Sequence, residues 1–71
     1  MKAARRYLGR RVIVNFADGS AIDGKLRTAT ADGLELAGAT LRSPDARQAL
    51  PVDGVVFVPA SRVHWLNAEE E

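Results

Sequence analysis

The chain has no cysteine and one histidine, His64. Disulfide staples and thiolate metal sites are excluded, and one imidazole makes neither a metal centre nor a hydrolytic triad beside Ser20, Ser43 or Ser61. Aromatic residues are few: Tyr7, Phe16, Phe57 and Trp65 complete the set. Recognition by stacked rings has little to draw on: Tyr7 is the one candidate stacker, and it is expected to pack instead. The Gly-rich phosphate loops of the GxGxxG and P-loop types are missing, so no cofactor is expected. No apolar run approaches the ~18 residues of a membrane span. The basic start MKAARRYLGRR has no apolar stretch behind it and does not read as a secretory signal. A soluble, cytoplasmic, non-enzymatic protein without membrane contact is the expectation.

Seventy-one residues make one domain. A domain of this size buries only about 60% of its unfolded surface and needs an added source of stability. With cysteine absent, partner subunits are the remaining source. Net charge is only +1, but it is uneven. Lys2, Arg5, Arg6, Arg10 and Arg11 crowd the start, and Glu69, Glu70 and Glu71 close the chain. That asymmetry reads either as an anionic partner for the N-terminal end or as a solvated charged face.

The segment VIVNFADGSAIDGKLRTATADGLEL carries the strongest structural signal. Val12, Val14 and Phe16 alternate with polar neighbours, which reads as a strand over Arg11 to Ala17. Asp18-Gly19 marks a hairpin, expected as a primed two-residue turn because glycine supplies positive φ. The return strand covers Ser20 to Thr28, with Ile22, Gly24 and Leu26 on one face and Asp23, Lys25 and Arg27 on the other. Gly24 inside it signals a bend or a close backbone approach. Asp32-Gly33 is a second tight turn into a third strand, about Gly33 to Leu41.

Ahead of this meander, Ala3 to Leu8 reads as a short helix stopped by Gly9 and anchored by Tyr7 and Leu8. After it, Ser43 to Pro51 is a loop between two prolines. Val52 to Val58 is a fourth strand, and Val55, Val56, Phe57 and Val58 are apolar without alternation. A strand apolar on both sides is covered on both sides. So short a chain cannot do that alone, so a second subunit is expected there. Pro59-Ala60-Ser61 breaks the chain before a fifth strand, Arg62 to Leu66, with Val63 and Trp65 on one face. Asn67 to Glu71 is a polar tail, expected to fray. The fold class expected is mostly β, a short N-terminal helix followed by a five-stranded, strongly bent antiparallel sheet that forms a small barrel. Asp18 and Asp32 each precede glycine and read as turn residues rather than catalysts. DGSAIDG approaches the cyclic-dinucleotide element of PilZ domains, but Gly24 lies one residue too far from Ser20.

Several residues resemble the Sm/LSm superfamily, from about Leu8 to Leu66. Its first motif has a strand, a D-G hairpin, a G-x-L step and an L-x-L strand ending in a small residue. Here these are Val12-Ile13-Val14, Asp18-Gly19, Gly24-Lys25-Leu26, and Leu34-Glu35-Leu36 with Ala39. The second motif matches at Gly54, the run Val55 to Val58, the break Pro59-Ala60 and Val63. The resemblance implies a homo-oligomeric ring in which the fourth strand pairs with a neighbour's fifth. Val55, Val56, Phe57, Val58, Val63 and Trp65 would form that interface. It also implies RNA or single-stranded DNA as ligand, held near Thr30, Asp32 and Gly33 in the turn after the G-x-L strand. Arg62 at the break and Arg5, Arg6, Arg10 and Arg11 on the helix side would hold phosphates. The chain departs from the family at this site: Thr30 and Asp32-Gly33 stand where the pocket has an Asp and an Asn, and Pro59-Ala60 replaces an Arg-Gly. A second function class therefore stands beside the first, a structural or adaptor ring whose partner is a protein.

Overall fold

The computed structural model describes residues 1–45 and 48–69. A 3-10 helix, Lys2–Tyr7, precedes strands β1 (Arg11–Asn15), β2 (Ala21–Ala29), β3 (Gly33–Arg42) and β4 (Leu50–Pro59). A 3-10 turn, Ala60–Arg62, then leads into β5 (Trp65–Ala68). All pairings are antiparallel, and one sheet runs in the order β4-β3-β2-β1-β5. The mostly β architecture is the one expected, with β4 and β5 left as the two open edges.

Period-2 alternation builds the core. Val12 and Val14 of β1, Ile22 and Leu26 of β2, Leu34 and Leu36 of β3, and Val58 of β4 all turn inward and are buried. Ala4 of the helix closes one end, with Met1 and Tyr7 packed against the core. Leu8, expected as an anchor, is exposed instead. The helix ends before it, and Gly9 donates its N–H to Leu26 O at 2.9 Å, which pulls the chain into β1.

Irregular pairing bends the sheet. Between Leu26 and Thr28, β2 spends an extra residue against Leu36 and Glu35 of β3. Arg27 and Thr28 both end exposed, and Ala29 returns to the core. At Gly24 the strands come close: an added Cβ would lie 3.0 Å from Ala37 O and 3.2 Å from Leu36 Cβ. The close approach read from sequence is therefore real.

Four expectations need correction. The Asp18-Gly19 hairpin is not a primed turn, because among the described residues only glycines have positive φ. Phe16 and Ser20 close a three-residue loop, with Phe16 N–H to Ser20 O at 2.9 Å and Gly19 at φ 91°. The loop after β3 is shorter than expected, since β4 begins at Leu50; Ala46 and Arg47 lie outside the described residues. The fifth strand is displaced to Trp65–Ala68 because Ala60–Arg62 coils into a 3-10 turn. Val63 caps that turn, so it shares no strand face with Trp65. The polar tail is tied down through Glu69, whose N–H reaches Arg11 O at 3.1 Å; Glu70 and Glu71 lie outside the described residues.

Candidate functional site

The turn between β2 and β3 meets the break between β4 and β5. Thr30 and Gly33 exchange backbone hydrogen bonds, Thr30 N–H to Gly33 O at 2.9 Å and Gly33 N–H to Thr30 O at 3.3 Å. Thr30 Oγ1 accepts from Asp32 N–H at 3.2 Å. Ala60 N–H donates to Asp32 O at 2.9 Å, and Gly33 pairs with Pro59. Gly33 is packed so tightly against Val58, Phe57 and Pro59 that no side chain fits there. Thr30, Asp32 and Gly33 are thus brought together with the break between β4 and β5.

Arg62 goes elsewhere. It lines a groove with Phe16, Ala17, Asp18 and Ser61 at the β1–β2 hairpin. Asp18 is held below the usual carboxylate range, first by the Ser20 hydroxyl and Ser20 N–H, with the Arg62 charge adding to the effect. The backbone bond from Ser20 N–H to Asp18 Oδ1 is 2.8 Å. Sequence reading missed this relation because 44 residues separate the two charges along the chain.

The helix-side arginines divide into three groups. Arg5 lines a cleft of about 390 Å³ with Lys2 and Arg27, beside Thr28 and Thr30. Among the described residues, the ion pairs are Arg11–Asp23 and Arg42–Asp23, so these three cations have no carboxylate partner. Arg6 and Arg10 flank the Tyr7 ring, with guanidinium carbons 5.4 and 5.6 Å from its centroid, within cation–π range. Arg10 also donates to Glu69 O at 2.9 Å. Arg11 lies on the outer side of the sheet, bound to Asp23 at 2.8 Å. Lys2 and Arg27 were not singled out from sequence. The available signals were the basic start and the outward register of Arg27; the bulge that aims Arg27 into the cleft leaves no residue signature.

The open edges carry apolar surface. Val55 and Phe57 of β4 are 53% and 52% exposed, and Trp65 of β5 is 55% exposed. Val58 is buried, and Val56 and Val63 are partly buried against the core. The apolar run thus splits: its inward half serves this chain's own core, and its outward half is exposed among the described residues. Among the described residues no three His, Asp or Glu side chains gather as a metal site, and no helix is long and apolar enough to cross a membrane.

By sequence, no family model and no curated protein match the chain. By structure, the likeness is extensive. A SmAP1 heptamer from P. aerophilum superposes with a TM-score of 0.83 at 20% identity, over 99% of this chain and 92% of that one. A heptameric archaeal Sm protein gives 0.82 at 20% identity, over 99% of this chain and all of the other. An SmAP (LSm) protein from Methanococcus vannielii gives 0.70 at 20% identity, over 92% and 87%.

Proposed function

We propose that this chain, which has the Sm-like fold, assembles into a homo-oligomeric ring that binds RNA or single-stranded DNA without catalysing a reaction. The exposed edge of β4 pairs with the exposed edge of β5 in the next copy. Edge strands with unpaired backbone groups and outward Val55, Phe57 and Trp65 are templates for such pairing. The heptameric structures that share the fold support the same reading.

The observation that carries nucleic-acid binding is the cleft of Lys2, Arg5 and Arg27 beside the Thr30 turn. Three cations that pair with no carboxylate among the described residues repel one another, and a phosphodiester relieves that repulsion. One copy offers a weak site, but a ring presents it once per subunit to one strand, so avidity multiplies modest contacts. The test is fluorescence anisotropy with a labelled oligouridylate and a labelled oligothymidylate over a salt series. Replacing Lys2, Arg5 and Arg27 with alanine should lower the slope of log affinity against log salt by about 0.7 per lost phosphate contact. Unchanged affinity in a correctly assembled variant would refute the assignment.

The adaptor reading keeps one observation of its own. Leu41 and Leu50 pair across β3 and β4 and are both exposed, at the end of that hairpin away from the Thr30 turn. An exposed apolar cross-strand pair suits a protein partner better than a nucleotide.

A further inference from the structure

Asp23 is a carboxylate on the outward register of β2, yet it is only 3% exposed. Two guanidiniums cover it. Arg11 Nη2 of β1 reaches Oδ1 at 2.8 Å, and Arg42 Nε of β3 reaches Oδ2 at 3.1 Å. Arg11 Nη2 also donates to Gly38 O at 3.3 Å. One arginine would suffice to balance one carboxylate, so the cluster keeps a surplus positive charge.

The donors are only partly used. A guanidinium carries five N–H groups in a rigid plane. The bonds to Asp23 and Gly38 occupy Nη2 of Arg11 and Nε of Arg42, while the two side chains stay 42% and 59% exposed. Among the described residues their remaining N–H groups have no other partner, and they lie in planes fixed from behind, the arrangement that suits bidentate phosphate recognition.

The same side of β2 continues the charge. Lys25 is exposed and pairs with Arg11 across the ladder. Arg27 follows two residues on, at the cleft that Lys2 and Arg5 line. Successive outward residues on a regular strand lie about 6.6–6.8 Å apart; here the irregular pairings at Asp23/Lys25 and Leu26/Thr28 bend β2 along the order Asp23, Lys25, Arg27. Two carboxylates border this side: Glu69, whose N–H bonds Arg11 O at 3.1 Å, and Glu35 of β3, which accepts from Thr28 Oγ1 at 2.8 Å.

We propose that the outward side of β2 is a phosphate track for single-stranded nucleic acid, running from the cleft to Arg11 and Arg42, with Asp23 as its positioning residue. The proposal rests on the nucleic-acid reading above and extends it from the Thr30 turn onto the outer flank of each subunit. Asp23 touches no ligand; it sets the planes of the two guanidiniums that do.

The closing experiment uses the full chain and a fluorescein-labelled oligouridylate, titrated over a salt series, with solution mass and far-UV circular dichroism as controls. Lys25→Ala with Arg42→Ala should lower the slope of log affinity against log salt by roughly 1.4, two contacts at about 0.7 each. Asp23→Asn gives a test by sign. It adds one unit of positive charge, so mere attraction predicts tighter binding, whereas positioning predicts weaker binding in a protein of unchanged mass. An unchanged slope in the double variant overturns the track and leaves these cations to an acidic protein surface. Tighter binding by Asp23→Asn overturns the positioning role. A wild-type protein without salt-sensitive binding overturns the nucleic-acid reading itself and the track with it, whereas wild-type binding with an unchanged double variant overturns the track alone.

Discussion

The centre of the sheet and its two edges obey different rules. In β1, β2 and β3 every strand has a neighbour on each side, and inward residues such as Val12, Leu26, Leu34 and Leu36 are buried within one copy. In β4 and β5 one side of each strand is open, and Val55, Phe57 and Trp65 stay more than half exposed. The centre is complete in the single chain; in the proposed ring the edges are completed by neighbouring copies. The difference teaches where stability and assembly reside: substitutions in the centre should unfold the subunit, and substitutions at the edges should separate subunits that remain folded.

The largest expected effect sharpens that division. Phe57→Asp puts a charge on the outward side of β4, where it gives up the ring contact with Gly33 but replaces none of the buried core residues. Its solution mass should fall to that of one subunit while the circular dichroism of the sheet persists. Next comes Leu36→Ala at the centre. Deleting a fully buried leucine side chain should cost about 2–5 kcal/mol, read by urea denaturation. Should Leu36→Ala dissociate the assembly without loosening the subunit, the division would fail.

Gly24→Ala should act more mildly. Its new Cβ would crowd Ala37 O and Leu36 Cβ, so a loss of about 1–3 kcal/mol follows from overpacking. The smallest effect belongs to Asp18→Asn. The folded carboxyl of Asp18 is lowered, so its contribution is fully present above the unfolded carboxylate value of about 3.9 and fades as pH falls through the lowered folded value. The variant should therefore be slightly less stable than wild type at neutral pH and indistinguishable from it in strong acid. A gap that persists in acid would show that Ser20 and Arg62 do not act through the carboxylate charge.

Much of the fold was legible because alternation is a direct consequence of strand geometry. Val12, Val14, Ile22, Leu26, Leu34 and Leu36 were all placed correctly by spacing of two. Turn type was less legible. Asp18-Gly19 fits a two-residue primed turn and a three-residue loop with glycine at positive φ equally well, and the second is what forms. The shift of β5 to Trp65–Ala68 was hidden because a 3-10 turn of three residues has no periodicity to read.

The candidate site was legible only where sequence neighbours stay spatial neighbours. Thr30, Asp32 and Gly33 share one turn, so their gathering could be foreseen. Lys2, Arg5 and Arg27 converge through the helix docking and the bulge in β2, and neither leaves a motif. Asp23 read only as sharing the face of Lys25 and Arg27. Its burial depends on Arg11 and Arg42 arriving from two other strands.

Solution mass, by light scattering coupled to size exclusion at physiological salt, tests the central claim most directly. The open edges of β4 and β5 predict a closed multiple of the subunit mass that Phe57→Asp abolishes. A wild-type chain that stays at the mass of one folded subunit across the micromolar range would contradict it.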